Sequence, residues 1–262
     1  ENPQGIAHAL CWWGDFMGDV NFVVYLGDNI LRTGLSSYVQ KFENSSNDAM
    51  ILLSEVDNPS QFGVAQIVDN KIIKIIEKPK NPPSNFAVIG VYFLTPKIFE
   101  IIKTLKPSWR NELEITEALQ SLMDSGLKIE YDYVTGWWKD TGTPKDILHA
   151  NQLILESMSK EKKEEIFLDK NWSIDHSVEI VGPVIIAENC MIKSSKLGPN
   201  VSVGKNSILE NCSIRDSIVM DDCIINAPIK IRDSIIADGT EIKKNKSDES
   251  VYLLGERSQI NL

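Results

Sequence analysis

Val201-Ser202-Val203-Gly204-Lys205-Asn206-Ser207-Ile208-Leu209-Glu210-Asn211-Cys212-Ser213-Ile214 is the stretch that decides the fold of the C-terminal part. Aliphatic Val203, Leu209 and Ile214 recur at steps of six and five, and two positions before them lie Val201, Ser207 and Cys212. In extended chain, residues i and i−2 point to the same side. Each short strand therefore turns two residues inward and the intervening ones outward. Upstream the aliphatic series extends through Ile174, Ile180, Ile186, Ile192 and Leu197. Downstream it continues through Val219, Ile225, Ile231, Ile236 and Ile242. The pattern reads as a β-helix of hexapeptide repeats, one face of a triangular coil per repeat, with room for about four coils around a shared core. We place this domain at residues 172–262, including a C-terminal tail. Cys190, Cys212 and Cys223 take inward positions for small residues. With Cys11 they form no C-x-x-C pair, so neither a zinc site nor a disulfide framework is expected, and a cytoplasmic protein is.

Before residue 160 the period is different. Helices are expected at Ile6 to Phe16, Leu35 to Phe42, Pro96 to Ile102, Ile115 to Ser125 and Pro144 to about Ser159. Strands are expected at Phe22 to Leu26, Met50 to Glu55, Gly63 to Val68, Ile72 to Glu77, Phe86 to Leu94, Ile129 to Val134 and Trp137 to Trp138. Strands alternating with helices imply an open α/β sheet over residues 1–159. The run Lys160-Glu161-Lys162-Lys163-Glu164-Glu165 is so charged that it reads as a solvated helix end or linker, and we place a charged linker at residues 160–171.

Two carboxylates stand out against this frame. Asp28 follows the apolar run Phe22 to Leu26, and Asp140 follows Trp137-Trp138; glycine lies beside each, at Gly27 and Gly142. Ligands of open α/β sheets gather at the carboxyl ends of strands. Two acids there suit Mg²⁺, which takes one or two carboxylates and fills its shell with substrate oxygens and water. The formal net charge of −10 argues against nucleic-acid binding, which relies on clustered Lys and Arg. No apolar run approaches the ~18 residues of a membrane span. The opening Glu1-Asn2-Pro3-Gln4-Gly5 carries neither methionine nor a hydrophobic leader, so we expect an upstream segment to have been lost.

The chain resembles the sugar-1-phosphate nucleotidyltransferases, and among them the long glucose-1-phosphate thymidylyltransferases that carry a left-handed β-helix. The motifs, in family order, are Asn2-Pro3-Gln4-Gly5-Ile6-Ala7-His8-Ala9, Leu26-Gly27-Asp28-Asn29, Phe62-Gly63, Glu77-Lys78-Pro79, Ser84 to Phe93, Glu112-Leu113-Glu114-Ile115-Thr116 and Trp138-Lys139-Asp140-Thr141-Gly142-Thr143. The resemblance implies a Rossmann-like nucleotidyltransferase sheet, here N-terminally truncated. The family's Gly-rich loop, with its phosphate-binding Arg and catalytic Lys, is expected before Glu1, so the chain alone is expected to be inactive.

By the same resemblance a sugar 1-phosphate, glucose 1-phosphate foremost, attacks the α-phosphorus of dTTP or UTP and releases pyrophosphate. Asp28 and Asp140 would hold Mg²⁺. Glu77 would accept hydrogen bonds from sugar hydroxyls, and Lys78 would meet the sugar phosphate. Gly63, Val88 and Tyr92 would lie against the sugar and its phosphate, and Gly5 along the base. A homo-oligomer is expected. Arg110 reads as an anion contact or, more blandly, as part of a loop before a helix. His8, His149 and His176 show no ligand spacing. Two alternatives remain: acyl-CoA-dependent acyl transfer by the β-helix, with His176 as its one candidate base, and a non-catalytic assembly or regulatory subunit.

Overall fold

The computed structural model describes residues 4–243. Asn2 and Pro3 of the first motif and the expected tail lie outside the described residues. The chain divides into two compact units, with the division between Asp140 and Thr141.

The first unit is built on a mixed sheet. In chain order it contains α1 (Ile6–Cys11), α2 (Gly14–Met17), β1 (Phe22–Tyr25), β2 (Asn29–Leu31), α3 (Ser36–Glu43), β3 (Ala49–Glu55), β4 (Gly63–Val68), β5 (Lys71–Glu77), β6 (Phe86–Leu94), α4 (Lys97–Ile102), α5 (Ile115–Asp124), β7 (Ile129–Tyr133) and β8 (Trp138–Asp140). The main sheet runs β5-β4-β6-β3-β7, with β1 also on β6. Strand β3 is parallel to β7 and antiparallel to β6. Strand β6 is apolar or glycine at every position, because helices cover both faces. Val88, Tyr92 and Leu94 enter the core that holds Leu10, Phe99 and Leu119. Ile89, Val91 and Phe93 enter the opposite core with Tyr38 and Phe42 of α3. Expected strand limits recur at β4 and β6. The single helix expected over Ile6 to Phe16 is instead two short pieces, parted at Trp12 and Trp13.

The second unit is a parallel strand solenoid of about five turns preceded by α6 (Pro144–Lys162). One face stacks Ile166–Leu168, Val184–Ile186, Val201–Val203, Ser217–Val219 and Ile235–Ile236. Each strand pairs in parallel with the one a coil away, 16 to 18 residues on, as in Val201 with Ser217 and Ser173 with Met191. The expected inward residues are inside. Ile186, Ile192, Leu197, Leu209 and Ile225 are fully buried, and Cys190, Cys212 and Cys223 join them.

Of the two readings of the charged run, the structure has the helix end and not the linker. Helix α6 continues to Lys162 and ends on left-handed Lys163, and Ile166–Leu168 is already the first solenoid strand. Leu168 lies opposite inward Ile186 and six positions before Ile174, so the strand keeps the six-residue register, while Phe167 lies opposite Ile185 on the other face, with Lys162 of α6 over its ring. Helix α6 itself belongs with the solenoid. The Asn151 amide donates to the Asn200 carbonyl at 3.3 Å, and the Ser202 hydroxyl donates to Asn151 Oδ1 at 2.5 Å.

The alternation within one strand makes a sharp test. Ile192 is buried and its neighbour Met191 faces out. Ile192→Ala should lower stability by about 2–5 kcal/mol through lost burial and a cavity. Met191→Ala should stay within about 0.5 kcal/mol. Urea unfolding followed by circular dichroism reads both, and equal losses would mean that the inward register is misplaced.

Candidate functional site

The sheet register assembles a site from distant motifs. Gly63, the first residue of β4, is paired with Glu77 at the end of β5 and with Val88 near the start of β6. These three residues therefore stand in a row across adjacent strands. Tyr92 lies four residues along β6, on the same face as Val88, opposite Val24 of β1 and Ile51 of β3. The short strands β2 and β8 pair antiparallel, with Asn29 opposite Asp140 and Leu31 opposite Trp138. That pairing sets Asp28, just before β2, beside the end of β8. Gly5 is fixed from outside the sheet, because Leu113 N–H donates to the Gln4 carbonyl and Ala7 N–H donates to the Leu113 carbonyl.

Gly5, Asp28, Gly63, Glu77, Val88, Tyr92 and Asp140 line one cleft of about 770 Å³, together with Lys78. The structure thus brings together Gly5, Asp28, Gly63, Glu77, Lys78, Val88, Tyr92 and Asp140. Gly63 is needed as glycine, since a Cβ there would come within 2.5 Å of Thr116 Cγ2. Lys78 reverses the chain with φ +38°, uncommon for a residue with a side chain, and its N–H donates to the Phe62 carbonyl at 3.1 Å. The proline that follows restricts it further.

The cleft also contains Arg110, read from the sequence as an anion contact or a loop residue, and Thr116, which was given no role. Arg110 reaches Glu77 at 3.5 Å, Glu112 at 3.0 Å and Glu114 at 3.4 Å. A lone arginine in a loop gives no signal of this, because the fork is formed by three acids from two sequence segments. The Thr116 hydroxyl donates to Glu77 Oε2 at 2.9 Å. Burial pushes the Glu77 carboxyl above its ordinary range, and the Glu114 anion adds to the shift. The Thr116 hydrogen bond, Lys78 and Arg110 oppose it. Tyr92 is pushed well up by burial, with the Glu77 and Asp28 charges adding to the effect. His176 lies in the solenoid, exposed, with Nδ1 3.3 Å from Asp175.

The charges decide what the cleft accepts. Five carboxylates line it, from Asp28, Glu77, Glu112, Glu114 and Asp140, against the cations Lys78 and Arg110. A polyanion enters such a site only with added positive charge. Two acids brought together by the β2–β8 pairing fit a hard divalent cation whose remaining ligands are substrate oxygens and water. Among the described residues no group of three or more His, Cys, Asp or Glu is placed to form a closed metal site. Among them, too, no helix is long and apolar enough to cross a membrane.

Comparison with known proteins gives the family. A family model described as Nucleotidyl transferase matches residues 1–157, and one described as GMPPB C-terminal domain matches residues 180–262. The low-salt glycan biosynthesis nucleotidyltransferase Agl11 of Haloferax volcanii is 44% identical, covering 100% of this chain and 77% of its own length. A glucose-1-phosphate thymidylyltransferase of Streptomyces antibioticus is 34% identical, covering 99% of this chain and 77% of its own. A Bacillus anthracis protein assigned as a glucose-1-phosphate thymidylyltransferase, solved in complex with sucrose, superposes with a TM-score of 0.54 at 45% identity. That match covers 58% of this chain and 62% of the other. With a family model matched over more than half its length and relatives spanning nearly all of it, the chain belongs to the sugar-1-phosphate nucleotidyltransferases, a family of enzymes.

Proposed function

We propose that this protein joins a nucleoside triphosphate, dTTP or UTP, to glucose 1-phosphate, giving the nucleoside diphosphate sugar and pyrophosphate. The observation that carries the reading is the single acid-rich cleft in which Asp28, Asp140, Glu77, Lys78, Gly63, Val88, Tyr92 and Gly5 meet. A phosphate oxygen of the sugar phosphate attacks the α-phosphorus, and the bond from that phosphorus to the bridging oxygen of the β-phosphate breaks. No protein nucleophile is required, so catalysis rests on alignment and charge.

Each residue has a task in this reading. Glu77, held by Thr116, accepts hydrogen bonds from sugar hydroxyls at the bottom of the row that Gly63 and Val88 complete. Lys78 offers a compact ammonium to the sugar phosphate. Tyr92, kept protonated by burial, presents a hydroxyl rather than a phenolate to an anionic substrate. The Gly5 backbone lies along the base. Asp28 and Asp140 would hold Mg²⁺, which when bound supplies charge neutralisation at the reacting phosphates.

Pyrophosphate release from a panel of triphosphates and sugar 1-phosphates, measured on protein expressed from its complete reading frame, tests the assignment. The fastest pair should contain glucose 1-phosphate with dTTP or UTP. Failure of every pair would refute the reading. In the same assay Asp28→Asn and Asp140→Asn should each lower kcat by roughly 10²-fold or more, as loss of single electrostatic contacts does, with little change in sugar phosphate affinity. Near-normal kcat with unchanged Mg²⁺ dependence in both variants would remove these acids from the mechanism.

Glu77 predicts a pH effect of definite sign. Its pKa is raised, so as pH falls it takes up a proton above the usual carboxylate range and loses acceptor strength. KM for the sugar phosphate should therefore climb as pH falls. Thr116→Val should move that climb to higher pH, because the hydroxyl bond stabilises the carboxylate. Glu77→Gln should have a raised KM from which this component of the pH dependence has gone. A Glu77→Gln profile parallel to the wild type would show that another group titrates.

A further inference from the structure

Asn29 is buried, 6% exposed, at the centre of a hydrogen-bond hub that the proposed chemistry does not use. Its Oδ1 accepts from the Gly90 N–H at 3.0 Å and from the Trp138 indole N–H at 2.7 Å. Both partners are donors only, so the amide has one possible orientation: its oxygen faces them and its NH₂ faces away. That NH₂ donates to Asp28 Oδ1 at 2.8 Å. The backbone is pinned as well, since Asn29 N–H donates to the Leu26 carbonyl at 3.0 Å and the Tyr25 hydroxyl donates to the Asn29 carbonyl at 2.8 Å.

The hub reaches the strands that form the cleft. Leu26 N–H donates to the Gly90 carbonyl at 2.8 Å, which fastens the turn to β6. Gly90 is glycine where a Cβ would stand 2.5 Å from Asn29 Nδ2. Through β2 and β8, Asn29 lies opposite Asp140. Trp138 in turn meets the Phe62 ring edge-on at 5.5 Å, next to Gly63.

We propose that Asn29 is a positioning residue: its amide, locked by Gly90 and Trp138, fixes the Asp28 carboxylate for a divalent cation. This rests on the reading of Asp28 as a cation-holding acid. Asp28 is exposed and lines the cleft, and an aspartate side chain has several rotamers. A hydrogen bond from a buried, immobile donor selects one of them and occupies one oxygen. Partners of this kind, one step removed from the metal, commonly govern affinity by 10–100-fold.

The probe is Mn²⁺ bound to protein without substrate, measured by electron paramagnetic resonance of the free ion. Asn29→Leu keeps the volume and removes the amide. Its Mn²⁺ Kd should rise about tenfold or more. In turnover the half-saturating Mg²⁺ concentration should rise in parallel while the sugar phosphate KM stays near that of the wild type. A purely structural role would lower the melting temperature and leave both cation readouts unchanged, and a direct sugar contact would move the sugar KM alone; either result overturns the proposal.

A second measurement needs no variant at Asn29. In ¹⁵N-labelled wild-type protein titrated with Mg²⁺, the Asn29 side-chain NH₂ resonances should shift along the binding curve. In Asp28→Asn that shift should be lost. Saturating Mg²⁺ that leaves these resonances in place overturns the proposal even if Asn29→Leu does not fold. If the wild type binds neither cation, the reading of Asp28 falls and the role of Asn29 falls with it. Binding that Asn29→Leu retains unchanged leaves Asp28 standing and removes Asn29 alone.

Discussion

Strand β6 pairs with three neighbours, and the geometry of the first unit depends on that shared pairing. Along one side it pairs with β3 at both ends, Phe86 to Val88 and Tyr92 to Leu94, with a register shift between them, while the other side is divided between β4 at Ala87 and Val88 and β1 from Val91 to Leu94. A one-residue slip would reverse the two faces, sending Tyr92 to the α3 side and Phe93 to the cleft side. With both faces buried, such a slip gains nothing from solvent and loses packing on each side. The register of β6 is consequently fixed by two cores at once. From it follows the row of Gly63, Glu77 and Val88, which no single segment determines.

The solenoid obeys a different constraint, imposed at its corners. A three-sided coil must turn sharply every six residues or so, and many turns here use left-handed backbone. Asn189, Asn206 and Asp222 carry φ of +60°, +57° and +57° at one corner. Asn and Asp tolerate this conformation better than other residues with side chains. Stacked a coil apart they also bond one another, Asn189 to Asn206 at 3.1 Å and Asn206 to Asp222 at 2.9 Å. Just inside that corner the small residues do similar work: the Cys190 and Cys223 thiols reach carbonyls of the next coil, and Ser207 Oγ donates to the Met220 carbonyl. Small polar atoms at these positions thus serve the polar backbone that turning the chain exposes.

What could be read from the chain beforehand follows from the range of each interaction. The repeat was legible because its inward residues recur locally, and β4 and β6 because their apolar runs end at glycine, loop or proline signals. Strand β2 was not, since its three residues pair with β8 more than a hundred positions away. The strand at Ile166–Leu168 was hidden by the charged run before it, although Leu168 stands in the six-residue register, six positions before Ile174. In the cleft, strand-end acids and glycines were visible as motifs, whereas Arg110, Thr116 and Asn29 gain their places only when three segments meet. Their side chains satisfy partners that the linear sequence does not put beside them.

The same contrast explains why the cleft needs so much hydrogen bonding behind it. Its acids repel one another and would move apart if their positions were soft. Glu77 is held by Thr116 and Arg110, while Asp28 is held by Asn29. Glu114 is 5% exposed and bonded to the Ser108 hydroxyl at 2.9 Å as well as to Arg110. Donors fixed by their own partners keep the carboxylates close together before any cation or substrate arrives. Part of the ordering that binding would otherwise require is already complete in the folded chain, so less of the interaction with substrate is lost to entropy.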